Sequence, residues 1–192
     1  MAFHKKRSFW IGAALIALCA TGVAFLGFHS PGSSRLEQAR EDAARGARYS
    51  AIKQYIAYLD ESPEDHGARL ELAVLLKPLD SKAALEQLQE IPPSTPEYPE
   101  AIRHIAHIAV VGKLDDLAED ALRKLDRVQP DDPGVVLSLA ELYYRTRRYA
   151  ESLPWVQRAV RLQPDRALTW LLLAEVLDNL KRPEEMLVPL RK

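Results

Sequence analysis

The sequence predicts an all-α fold: an α-solenoid of helical hairpins, about four and a half repeats long, after a single transmembrane helix. Three observations carry this prediction. Proline recurs at Pro63, Pro96, Pro130 and Pro164, at intervals of 33, 34 and 34 residues. Alanine recurs with the same period at Ala39, Ala73, Ala106, Ala140 and Ala174. Ahead of both columns, Phe9 to Phe28 runs twenty residues without a charge. No stretch alternates apolar and polar residues convincingly enough for a half-buried strand.

Residues 1–8 form a short basic tail with His4, Lys5, Lys6 and Arg7. The run 9–28 follows, and as a helix rising about 1.5 Å per residue it spans a hydrocarbon core of roughly 30 Å. Phe9 and Trp10 at one end, and Phe25 and Phe28 at the other, suit the two interfacial zones. Three basic residues precede the run and only Arg35 follows closely, which favours a cytoplasmic N-terminus. The competing reading is a cleaved secretory signal, for which Gly22-Val23-Ala24 offers small residues at the cutting positions. Cleavage there would leave a hydrophobic Phe25-Leu26-Gly27-Phe28 start, and the run is long for a signal. Cys19 does not fit lipid attachment, because Leu18 stands where that signal requires a small residue. Residues 29–34 are a short linker of at most about 25 Å, so whatever follows works close to the bilayer.

The repeats then divide into units near 35–64, 65–97, 98–131, 132–165 and 166–192. Within them, helices are expected at 34–46, 49–61, 64–77, 81–90, 97–111, 114–128, 133–146, 148–162, 166–180 and 183–192. Each alanine of the column lets two helices approach closely, and Leu72, Ile105, Leu139 and Leu173 just before it fill the surrounding space. A second small column, Ala51, Ala84, Ala118 and Ser152, lies twelve residues before each proline. The prolines end helices, because each lacks an N–H and pushes the preceding residue out of the helical region. Gly46 and Gly112 punctuate two turns inside hairpins, and Asp80 and Ser81 offer caps for another. The second unit is one residue short around Lys77-Pro78-Leu79-Asp80.

These columns resemble the tetratricopeptide repeat family, whose unit is a 34-residue pair of antiparallel helices. The resemblance covers residues 35–192. It is strongest in Val136, Leu139-Ala140, Tyr143-Tyr144, Tyr149, Ala159 and Pro164, and in Trp170 and Leu173-Ala174. In the first unit Gln38 and Asp42 replace expected apolar residues, and Arg35 stands where an aromatic is typical. The resemblance implies a right-handed superhelix whose first helices line a concave groove. Family members that grip carboxylate tails use Lys, Arg and Asn on those helices. This chain has a single Asn, Asn179, and lacks that pattern.

Catalytic groups are sparse, and the chain is not expected to be an enzyme. Nothing matches a phosphate-cradling loop, a nucleophile elbow or a zinc-protease helix. Cys19 is the one cysteine, which excludes an intrachain disulfide and a cysteine-based zinc site. His104 and His107 share a helix face at i, i+3, but a metal site needs further ligands, so no metal or cofactor is expected. Asp115/Asp116 and Glu184/Glu185 sit where helices begin and complement the helix dipole. Beyond residue 34 there are 23 basic and 27 acidic residues. That balance lacks the basic field of a nucleic-acid binder.

Rotating each first helix away from its packing alanine places Arg103 and His107, then Leu137, Glu141, Tyr144 and Arg145, then Leu171 and Glu175 in the groove. That face is basic early and acidic late, with apolar contacts between, which suits a peptide or amphipathic helix of a partner protein. Tyr144 and Arg145 are the foremost anchor candidates. Arg145, Arg147 and Arg148 also form a basic cluster, read either as solvated surface or as a contact for an acidic partner. The expected function is therefore a membrane-anchored scaffold or adaptor, held to the bilayer through Phe9–Phe28 and raised in effective concentration by that tether. One alternative is a structural assembly protein that docks or forms a homo-oligomer through the final helix, where Leu187, Val188 and Leu190 have no polar cap after them. The other is a secreted repeat protein. Arginine outnumbers lysine 17 to 9, a hint of a GC-rich bacterial genome. On that reading the anchor sits in the inner membrane with the repeats on the periplasmic side.

Overall fold

The computed structural model describes residues 31–182 together with Glu184 and Glu185. The expected span Phe9–Phe28 and most of the expected last helix, 183–192, lie outside the described residues. Among the described residues no helix is long and apolar enough to cross a membrane.

Nine α-helices occur among the described residues: α1 (Pro31–Ala44), α2 (Arg48–Glu61), α3 (His66–Leu76), α4 (Ser81–Gln89), α5 (Tyr98–Val111), α6 (Asp115–Val128), α7 (Pro133–Arg145), α8 (Tyr149–Leu162) and α9 (Ala167–Asn179). They fall into two compact bodies, parted between Glu64 and Asp65. The first holds the hairpin α1–α2. In the second, α3 to α9 each pack against their neighbours in the chain, and α9 also touches α7. Contacts between sequential neighbours are what a stack of hairpins produces.

The two small columns explain why the hairpins close. Ala39 and Ala51, Ala84, Ala118, Ala140 and Ser152 are completely buried, and Ala73 and Ala106 nearly so. The Ser152 hydroxyl donates 2.8 Å to the Ala140 carbonyl, a distance that brings α8 directly onto the backbone of α7. Ala174 is only half-buried. The second helix expected in its unit, 183–192, lies for the most part outside the described residues.

Proline and chirality set the connections. Ser62, Gln129 and Gln163 stand just before Pro63, Pro130 and Pro164, and their φ/ψ values are −137/65, −131/76 and −135/74. The same clash with a following proline ring produces the same departure from the helix three times. Turns inside hairpins are just as regular. Gly46, Lys113, Arg147 and Lys181 adopt positive φ of 77°, 54°, 61° and 58°. The next N–H in each case reaches back to a carbonyl five residues earlier: Ala47 to Asp42, Leu114 to Ala109, Arg148 to Tyr143 and Arg182 to Leu177, at 2.8 to 2.9 Å. This is the Schellman closure, which satisfies carbonyls that a helix end otherwise leaves unpaired. The α3–α4 turn departs from it. There Lys77 stays helical, and the Asp80 carboxylate caps α4 by accepting from the Lys82 and Ala83 N–H groups at 3.0 Å.

The core of the second body runs from Ala73 through Leu88, Ile105, Leu122 and Leu139 to Tyr143, all buried. It continues through Val156, Val160, Val176 and Leu177. Burial of each large apolar side chain contributes about 1.5–3 kcal/mol. Tyr143 is fully buried yet polar at its tip. Its hydroxyl donates to Glu119 at 2.8 Å and accepts from Arg123 Nε at 2.9 Å. Arg148 lies over the ring at 4.6 Å and pairs with both Glu119 and Glu151. One phenol thus ties α6 to α7 and to the start of α8. In the first body the buried Asp42 accepts from Ser50 and Arg45, which hold its carboxyl below the ordinary aspartate range. An acid replaces an apolar residue there because partners for it are supplied locally.

Candidate functional site

The first helices of successive hairpins in the second body are α3, α5, α7 and α9, and two adjoining clefts open between α5 and α7. One, of about 230 Å³, is lined by Arg103, His107 and Val110 of α5 and by Asp132, Val135 and Ser138 at and after the start of α7. The other, of about 290 Å³, shares Val110 and Ser138 and continues along Glu141, Tyr144 and Arg145. A path about two helical turns long therefore runs between the helices, with Val110 at its middle, 37% exposed.

Its charges are mostly spoken for. Arg103 bonds Gln129 and pairs with Asp132 at 3.4 Å and Glu100 at 3.6 Å, which braces α5 against the α6–α7 turn. Asp132 also caps α7 through the Gly134 and Val135 N–H groups. Although its partial burial favours the neutral acid, those bonds and Arg103 hold its carboxyl below the usual range. Arg145 pairs with Asp115 at 2.7 Å. Tyr144 stacks obliquely on Tyr149 at 5.6 Å, and the Glu175 carboxylate of α9 near its hydroxyl raises the phenol. Tyr144 and Glu175, 31 positions apart, are thus brought together. Glu141 is exposed and forms no ion pair among the described residues.

Three expected groove residues, Leu137, Leu171 and Glu175, do not line these clefts. Leu137 is 7% exposed and packs with Val136 and Ala159, against Trp155, Leu162 and Leu172. Its repeat equivalent Arg103 does line the cleft, but α8 and α9 provide an apolar seat for a leucine at that register. Ser138 faces the cleft instead. A small polar residue inside the apolar run Val135–Ala140 was the signal for it. Leu171 is 56% exposed on α9, and Glu175 is exposed. The arginine cluster is largely engaged within the fold: Arg148 and Arg145 hold acids of α6 and α8, and the exposed Arg147 forms the turn.

Neither histidine pairs with the other. His104 Nδ1 lies 3.3 Å from Lys77 Nζ and its Nε2 lies 3.4 Å from Glu100. Burial and the adjacent ammonium keep this imidazole neutral to lower pH than usual. A neutral ring with the proton on Nε2 satisfies both contacts, Nδ1 accepting from the lysine. His107 is exposed. Among the described residues no group of three or more His, Cys, Asp or Glu stands close enough to share a metal ion.

Paired helices, small-residue contacts and repeated turns define a tetratricopeptide-type helical repeat. Comparison with solved structures agrees. The fold resembles that of MamA. One MamA crystal structure matches with a TM-score of 0.69 at 13% identity, covering 83% of this chain and 88% of that one. MamA AMB-1 matches with a TM-score of 0.70 at 19% identity over the same shares. MamA from Desulfovibrio magneticus RS-1, from its residue 41 onward, matches with a TM-score of 0.67 at 14% identity, covering 85% and 93%. No family model matches the sequence, and no curated protein matches it by sequence.

Proposed function

We propose that this chain is a membrane-tethered protein–protein adaptor that receives a peptide or helix of a partner in the α5–α7 cleft. The observation that carries the reading is the cleft itself: it is open, continuous from Arg103 to Arg145, and presents Val110 and Glu141 to solvent. An apolar side chain settles against Val110, and a basic residue of the partner meets Glu141. This revises the charge pattern expected of the groove, because Arg103 and Arg145 are neutralised within the fold and the Glu141 carboxylate remains at the far end. No constellation of nucleophile, base and anion-stabilising groups lines the cleft, which supports a binding role over an enzymatic one. The uncharged run Phe9–Phe28, with its basic flank, supports a single-pass anchor in an inner membrane with the repeats outside.

Cross-linking in native membranes, followed by mass spectrometry, tests both parts. Glu141→Lys should reduce capture of the main partner by about tenfold, the effect of reversing one charge in a partly enclosed contact. Capture unchanged by that substitution refutes the cleft as the contact site. An intact mass corresponding to a chain that starts at Phe25 refutes the anchor.

A second reading has one observation in its favour. Leu168 and Leu171 on α9 are 69% and 56% exposed. Two leucines one turn apart on a helix surface suit self-association at this end of the array.

A further inference from the structure

A separate cavity of about 560 Å³ opens at the edge of the second body, where the irregular α3–α4 turn faces the C-terminal end of α5. That volume is in the range of about 300–1,000 Å³ typical of ligand pockets. Pro78, Leu85, Val111 and Leu114 form its apolar walls. Val111 is 70% exposed and Leu114 46%, so this apolar surface meets water. The lining groups that carry or acquire charge are Lys77, Lys82 and His107, and no carboxylate lines the cavity.

The one acid between Lys77 and Lys82 in the chain is committed elsewhere. The Asp80 carboxylate accepts from the Lys82 and Ala83 N–H groups and so serves the helix end. Lys77 Nζ has a neutral partner, His104. Lys82 forms no ion pair among the described residues. A cationic occupant meets like charge here. A purely apolar one strips water from two ammonium groups without replacing it.

We propose that this cavity is a second docking site, which takes an acidic amphipathic segment of a partner protein. Leucine-like side chains of that segment enter between Leu85, Val111 and Leu114, and neighbouring carboxylates meet Lys77 and Lys82. The site differs from the α5–α7 cleft in place and in sign. The cleft offers the unpaired carboxylate of Glu141, and this cavity offers the ammonium groups of Lys77 and Lys82, neither of which pairs with an acid among the described residues. Only His107 borders both.

Fluorescence anisotropy of the full chain with a labelled probe peptide, Asp-Glu-Leu-Leu-Asp-Leu-Glu, tests the assignment. Its control has lysine at every acidic position. The acidic probe should bind at least about tenfold more tightly than the control, and more weakly as salt shortens the Debye length. Lys82→Glu and Val111→Asp change exposed residues, so folding is retained and circular dichroism confirms it. Each should weaken the acidic probe by about fivefold, and Lys82→Arg should retain it. Equal binding of the two probes, no binding of the acidic one, or affinity unmoved by both Lys82→Glu and Val111→Asp would overturn the proposal.

Discussion

Replacing Tyr143 by phenylalanine removes one hydroxyl from the centre of the second body and leaves the ring in place. That hydroxyl donates to Glu119 and accepts from Arg123, so two hydrogen bonds to charged groups vanish. A bond of this kind contributes about 1.5–3 kcal/mol. The full sum is not expected. Arg123 and Glu119 remain paired at 3.1 Å, with side chains 49% and 22% exposed, so water and each other replace part of what is lost. Arg148 also stays over the ring. The expected loss is about 1.5–2 kcal/mol, against about 3–5 kcal/mol for Tyr143→Ala, which empties the site as well. Acid should shrink the difference. Arg148 and Tyr143 hold the Glu119 carboxyl below its ordinary value of 4.5. The stabilisation from that shift is complete above the ordinary value and disappears as pH falls through the depressed one. Urea unfolding of the full chain, followed by far-ultraviolet circular dichroism at several pH values, measures both effects. A Tyr143→Phe protein within about 0.5 kcal/mol of the parent at pH 7 would refute the account. So would a gap that widens in acid.

Two further outcomes follow from the described geometry. Arg147→Gly should stabilise the second body by about 0.5–1 kcal/mol, because a left-handed backbone at φ 61° strains any residue with a Cβ; a lowered urea midpoint contradicts this. If α9 mediates self-association, Leu168→Asp with Leu171→Asp should convert the assembled full chain to monomer in sedimentation velocity. An unchanged distribution removes that face from consideration.

Helix positions were legible because two kinds of residue leave unmistakable marks. Pro63, Pro130 and Pro164 stand two residues past the ends of α2, α6 and α8, though Pro154 is carried inside α8, and alanine is repeated where two backbones meet, so boundaries follow to within a few residues from α1 to α9. The left-handed turn column was only half visible. Gly46 announces itself, but Lys113, Arg147 and Lys181 occupy the same conformation with residues that carry no such signal. Their burden is met by the Schellman bonds around them rather than by side-chain choice. Groove residues were the hardest to read. Arginine on a surface looks the same whether free or paired, and only the packed structure shows Asp132 beside Arg103 and Asp115 beside Arg145. Leu137 illustrates the other difficulty. Its face is set by whether Leu172, 35 positions later, arrives to cover it.

The shortened turn between Lys77 and Asp80 shows how a monotonous architecture acquires individuality. Every hairpin closes its own hydrogen bonds, so trimming one corner disturbs neither the helices it joins nor those stacked beyond them. What changes is the outline of a single margin, where a recess opens beside the trimmed corner. Modular arrays of this sort are free to diversify corner by corner while the shared interior stays as it was.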